Sequence, residues 1–279
     1  MWGSRTTGRI SLWVSFAIAV AVLAPMQSQP AEAQEADPGG GVFVTGHDAD
    51  FHARSNNTEG ARNIIRVAID YVTWSEPDPN ILVVTSRINP GRGFLDPVPG
   101  IEAAGFVGFD VADDGSAGGS VLDLNTVDFS QYDVVLVASD YGGWLRQGEV
   151  DVLNARSDEL IDYVNAGGGL VALAESGRLV THDRYGFLPF LASDTPLDRY
   201  ETGNEVTEFG ASIGLTDADV NGNYSHNIFT ETGGLEVVDV DADGNILSLA
   251  TREPIDDGGV QPEPPPAFAP PVADAGPDQ

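Results

Sequence analysis

The chain has 279 residues, with 13 basic side chains against 43 acidic ones, a net charge of −30 and no cysteine. Every basic residue is arginine; there is no lysine. A surface this acidic repels nucleic-acid phosphates and anionic membranes, which excludes both as partners, and the lack of cysteine excludes disulfides and any thiol nucleophile.

Arg5 and Arg9 precede the apolar residues 11–25 (SLWVSFAIAVAVLAP), too short a run for a comfortable membrane span of about 20 residues. Small residues follow, and Ala31-Glu32-Ala33 fits an A-x-A cleavage pattern. Together these regions predict a secretory signal peptide over residues 1–33 and a chain that is secreted or displayed at the cell surface; the alternative is an uncleaved anchor. No later segment is apolar for long enough to span a bilayer, so no membrane insertion is expected after cleavage. Beyond the leader the chain carries about −31 and about 246 residues, enough for one sizeable core.

Residues 41–46 (GVFVTG) predict a first buried strand. In residues 58–72, Ala61, Ile64, Ile65, Ala68, Ile69 and Val72 recur at spacings of three and four, which predicts a helix with one buried face. Residues 81–85 (ILVVT) predict a second strand. A short helical turn is expected at 100–105, with weaker strands at 105–111 and 120–124. The clearest strand is 132–139 (YDVVLVAS), followed by a helix that turns Val150, Leu153, Leu160, Ile161 and Val164 inward. Glycines 167–169 end that helix, and 170–174 (LVALA) is the next strand. This β-α-β alternation predicts an α/β fold, a doubly wound, mostly parallel sheet with helices on both faces. Two strand-like runs, GLEVVDV and NILSLAT, flank Asp241-Ala242-Asp243-Gly244 and predict a C-terminal β-hairpin.

From Pro254 to residue 270 the composition is that of a proline-rich, extended linker. The last residues, 271–279 (PVADAGPDQ), resemble the opening of a PKD domain, an immunoglobulin-like extracellular β module. That resemblance implies a truncated start of a second domain; the alternative is a disordered acidic tail.

The strands at 41–46, 81–85, 132–139 and 170–174 and the helix at 58–72 together resemble the class I glutamine amidotransferase-like superfamily over residues 41–253. In its catalytic members a strand like LVALA leads into a sharp turn that carries a cysteine. Here that turn holds Ala174, Glu175, Ser176 and Gly177, so glutamine hydrolysis by that route is not expected. Ser176 is a substitute nucleophile if a base such as His226 or His182 reaches it, and Glu175 at the same elbow is an acid or a helix-end carboxylate. The resemblance also implies that a late histidine, His226, returns towards Glu175 and His47.

The densest set of chemistry-bearing side chains is His47, Asp48, Asp50 and His52, just after the first strand, where open α/β sheets place ligands. Imidazole and carboxylate at His47, Asp50 and His52 suit a divalent transition metal; the alternative is a loop that caps and bonds itself. Gly142, Gly143 and Trp144 follow the central strand and offer a backbone turn with an aromatic wall for a small ligand or carbohydrate, or simple packing. Asp217, Asp219 and Asn221, with Gly222, form the front half of a calcium loop that lacks its closing glutamate; the residues from Asp239 to Gly244 repeat it, although there a hairpin turn suffices. No phosphate-binding loop or dinucleotide fingerprint is present. Three functions are therefore expected in turn: a non-catalytic binding or scaffold module of a larger extracellular protein, a metal-dependent extracellular hydrolase acting on glycan, and a calcium-stabilised adhesion protein.

Overall fold

The computed structural model describes residues 40–54, 57–86, 98–116, 121–140, 144–173, 184–194, 202–223 and 225–261, all within one compact unit, Asp37–Gln279. In chain order the elements are β1 (Val42–Thr45), α1 (Ala49–His52), α2 (Thr58–Val72), β2 (Ile81–Val84), α3 (Val98–Ala104), β3 (Asp110–Asp113) and β4 (Leu122–Asp123). There follow β5 (Val134–Val137), α4 (Gln147–Ala155), α5 (Ser157–Asn165), β6 (Gly169–Ala172), β7 (Ser193–Asp194), β8 (Glu205–Val206), α6 (Glu208–Ser212) and α7 (Asp217–Val220). The last are β9 (Ile228–Phe229), β10 (Glu236–Val240), β11 (Ile246–Thr251), β12 (Ile255–Asp256) and β13 (Gly259–Val260).

Eleven of these strands form one mixed sheet, in the order β4-β3-β2-β5-β6-β1-β11-β10-β8, with β9 beside β11 and β7 beside β9. The six strands from β4 to β1 are parallel, and β11, β10 and β8 continue antiparallel. Doubly wound sheets commonly run 2-1-3-4-5. Counted from β2, with the two-residue edge strand β4 left aside, this sheet obeys that order, and the N-terminal strand β1 takes the fifth place.

The alternation of side chains along each parallel strand sends successive residues to opposite faces. Val42 and Val44, Leu82 and Val84, Val135 and Val137, and Leu170 and Ala172 enter one core, with α4 and α5. Phe43, Ile81, Val83, Val134, Leu136, Val171 and Leu173 enter the other, with α1, α2 and α3. Right-handed crossovers explain which helix takes which face. The connections β1-α2-β2 and β2-α3-β3 travel one way across the sheet; β5-α4-α5-β6 travels the other way and so lies on the opposite side.

Helix α2 spans the expected residues because its sequence supplies both a stripe and a start. Asn57 Oδ1 accepts from Gly60 N at 3.2 Å, a cap worth about 1 kcal/mol. Elsewhere boundaries differ from expectation. Gly105 and Gly108 adopt φ of +112° and +79°, so the strand expected from residue 105 starts at Asp110. The single helix expected after the central strand is two, α4 and α5, divided at Arg156, whose guanidinium donates to the carbonyls of Leu124 and Val127 and stacks 4.1 Å from the Phe129 ring. The C-terminal hairpin, β10–β11, is not an appendage: β11 pairs with β1 and extends the main sheet. The expected linker also begins too early at Pro254. Strands β12 and β13 form a small antiparallel hairpin there, with Ile255 buried against α5 and Asn165 gripping its backbone N–H and carbonyl. The leader (1–33) and the PKD-like residues (271–279) lie outside the described residues. Among those described, no helix is long and apolar enough to cross a membrane.

Candidate functional site

The carboxyl edge of the sheet is where the chemistry collects. β1 stops at Thr45, and Gly46 makes a close approach possible. A Cβ there would meet the Asn227 carbonyl and Ser225 Oγ; without one, the 225–227 segment runs against the strand end, with His226 N donating to Gly46 O at 3.0 Å. Gly100 does the same for α3, which packs its backbone on the carbonyl of Asp50. Three neighbouring strands contribute a buried polar row. Thr45 stands opposite Ser248, and Ser248 opposite Asp239, with Ser248 Oγ donating to Thr45 Oγ1 at 2.7 Å. Tyr185 Oη donates to Thr45 O at 2.7 Å and closes the row from the other core.

On this frame the His47–His52 segment spreads its side chains to separate partners. His47 Nε2 lies 2.8 Å from Asp239 Oδ2, within hydrogen-bond distance and with both side chains shielded from solvent. Asp50 points the other way, and its Oδ2 accepts from Ser139 N at 3.0 Å, just past β5. Asp48 sits between two histidines: His52 Nε2 is 2.9 Å from Oδ1, and His226 Nε2 is 3.8 Å from Oδ2. Neither oxygen of Asp48 receives an aligned hydrogen bond, nor does Asp50 Oδ1 or Asp239 Oδ1. Burial pushes the Asp50 carboxyl up from 3.8 to about 6; the bonds from Ser139 pull against this, and the nearby Asp48 charge adds to it. Acceptor oxygens therefore outnumber donors in a desolvated place, an arrangement that favours a ligand bringing N–H, O–H or positive charge.

The residues expected from sequence divide clearly. His47, Asp48, Asp50, His52 and His226 are brought to this edge. His226 returns beside Asp48 and next to the His47 backbone, through the Ser225–His47 bridge. His47, Asp50 and His52, however, turn to three different partners. Among the described residues no group of three or more histidine, aspartate or glutamate side chains is arranged to hold a metal ion. The half-motif for calcium is a short helix instead. Asp219 Oδ2 accepts from Thr216 N and Oγ1 to cap α7, and also from Asn63. Asp217 Oδ1 accepts from Val206 N, and Asn221 bonds both backbone groups of Asn204. These side chains are spent on holding α7 against β8 and α2. Asp241 likewise accepts from Asp243 N and Asn245 N to shape the β10–β11 turn. Trp144 stands past β5 at the same edge, half-buried, with the Arg146 guanidinium 5.4 Å from its ring. Glu175, Ser176, Gly142 and Gly143 lie outside the described residues.

Sequence reasoning read Asp239 only as the start of a second calcium half-motif and missed its pairing with His47; it missed Ser139 as well. Asp239 carried a signal: an aspartate in the strand run EVVDV, flanked by residues destined for the core, must find a partner or a proton. Ser139 reaches Asp50 through its backbone N–H as well as its side chain, and the strand run that ends at Ser139 does not reveal this partner. Comparison with protein-family models, with curated proteins and with solved structures finds no match to this chain.

Proposed function

We propose that this is an extracytoplasmic binding module, an amidotransferase-like layout without the amidotransferase nucleophile, and that its strand-end site takes a small ligand rich in donors or positively charged. The observation that carries the reading is Asp48, a fully buried carboxylate between two histidines with neither oxygen in an aligned hydrogen bond. A buried acceptor left in that state costs about 1–3 kcal/mol, and a ligand donor would offset it. The absence of any cysteine in the chain and the signal-like leader support a role in binding outside the cell rather than glutamine hydrolysis.

The test is calorimetry and thermal melting of the chain against alkylamines, guanidinium compounds and polyols. At least one class should raise the melting temperature of the natural protein, as ligand binding to the native state must, and Asp48→Asn should abolish the rise. No shift with any class would refute the reading. Asp50 favours a second reading, hydrolysis of extracellular glycan, because a carboxyl held near pH 6 exchanges protons at neutral pH. Release of reducing ends by the natural protein, lost in Asp50→Asn, would select it over simple binding.

A further inference from the structure

At the opposite, amino edge of the sheet lies a cleft of about 400 Å³ lined by Trp74, Glu76, Ser130, Tyr132, Asp133 and the backbone of residues 166–168. It opens between the end of α2 and the end of α5, over the starts of β5 and β6. Trp74 is 49% exposed, one of two large apolar side chains exposed to that degree among the described residues.

The way Trp74 is held is unusual. Helix α2 ends in a Schellman motif, in which Ser75 N donates to Asp70 O at 2.8 Å and Trp74 N to Tyr71 O at 3.4 Å. The pivotal position of that motif takes a left-handed conformation and is normally glycine. Here it is Trp74, at φ +56°, followed by Ser75 at +63°. A bulky side chain in that region costs about 1 kcal/mol or more. Arg252 then steadies the ring, with its guanidinium 3.9 Å from the indole centroid and 4.3 Å from that of Tyr71, and its Nε donating to Tyr71 O at 2.8 Å. Local stability would be better served by glycine, and the fold instead presents an indole to solvent at the mouth of a cleft.

We infer that this amino-edge cleft is a saccharide-binding site, with Trp74 as the stacking platform and Glu76 and Asp133 as hydroxyl acceptors. The chemistry of the lining selects the class. Two carboxylates and no lining cation among the described residues disfavour an anion, as does the net charge of −30. Arg252 already occupies the ring quadrupole, which disfavours a second cation against the indole. What remains suited is a neutral ring with an apolar C–H face for the aromatic and O–H donors for the acids. Tyr132 adds a fixed wall, because its hydroxyl is tied to Asp110 Oδ2 at 2.9 Å.

The test is titration of the full chain with neutral tetrasaccharides of glucose, mannose, galactose and N-acetylglucosamine, and with tetramethylammonium, read by calorimetry and tryptophan fluorescence. At least one saccharide should bind saturably. Trp74→Gly, which suits the left-handed backbone, should weaken that binding at least tenfold while leaving the melting temperature unchanged or higher, and Glu76→Gln should weaken it about threefold. Asp48→Asn should leave it unaltered, which separates this site from the strand-end one. The inference is overturned if no saccharide binds, if Trp74→Gly binds as the natural protein does, if Asp48→Asn is the variant that loses binding, or if tetramethylammonium binds in place of sugar.

Discussion

The two edges of one sheet solve opposite problems. At the carboxyl edge, His47, Asp48, Asp50 and Asp239 are fully buried; His47 meets Asp239 and Asp50 meets Ser139 across the fold, while Asp48 lies between His52, one helical turn on, and His226 without an aligned hydrogen bond. At the amino edge, Glu76 and Asp133 are exposed, and Asp133 Oδ2 accepts from Asn80 N at 2.7 Å at the surface. The difference lies in where chain segments pile up. The 225–227 segment, α1, α3 and β10 converge on the strand ends of β1 and β5, whereas the cleft at the amino edge is bordered by the exits of α2 and α5 and by the turn that enters β5. Polar groups at the first edge are therefore coupled to folding, whereas at the second Glu76 stands exposed at the cleft mouth.

The largest test of that contrast is His47→Ala. It leaves Asp239 as a buried polar side chain without its hydrogen-bond partner, a change that costs about 3 kcal/mol and should lower the melting temperature by roughly 10 °C in a chain of this size. A double variant, His47→Ala with Asp239→Ala, should recover part of the loss, because no buried polar group is then left without its partner. Equal loss in the single and double variants would show that the pair acts through packing alone.

The next effect is read by pH. Asp50 and Glu149 both have raised values in the folded protein, about 6 against 3.8 and about 7 against 4.5, with burial the leading cause for each. The folded state then holds protons that the unfolded state releases, so stability is greatest below the unfolded values and falls as pH rises through these windows. For Asp50 the decline runs from pH 3.8 to about 6 and amounts to roughly 2–3 kcal/mol. Asp50→Asn should flatten that part of the profile and be at least as stable at pH 7, since its amide oxygen can still accept from Ser139 N. Glu149→Gln should flatten the later part, up to pH 7, while keeping the acceptor for Arg146 N that starts α4. An unchanged pH profile in Asp50→Asn would mean that this carboxyl is solvated and the carboxyl edge is less dry than its geometry indicates.

The same contrast explains what could be read from sequence. Helix α2 and strands β1, β2, β5 and β6 were legible because each is buried by a rule of periodicity or by a continuous apolar run. Their order was not: nothing in residues 41–46 says that this strand lies beside β6 rather than β2. The loop from His47 to His52 was legible as a place where polar groups gather, but its partners were not, since His47 meets Asp239 across 192 positions of sequence. Asp217 and Asp219, expected at the front of a calcium loop, take other partners for a physical reason. A helix start and a metal loop both ask for oxygens at alternate positions, and Thr216, three residues before Asp219, supplied the capping-box spacing that decides between them.

A smaller effect bears on the amino edge itself. Arg252→Ala removes two stacking contacts and the bond to Tyr71 O, and should cost about 1–2 kcal/mol while loosening Trp74. Smaller still is Glu76→Gln. Its side chain is exposed at the mouth of the cleft, so its stability should stay within about 0.5 kcal/mol of the natural protein, measured by urea unfolding. That near-silence is informative only beside the large loss expected for His47→Ala: a residue with no part in folding, placed at the rim of an aromatic cleft, is free to be there for a ligand. A loss of more than about 1 kcal/mol in Glu76→Gln would tie the amino edge into the fold as firmly as the carboxyl edge, and the distinction between a folding edge and a binding edge would fall.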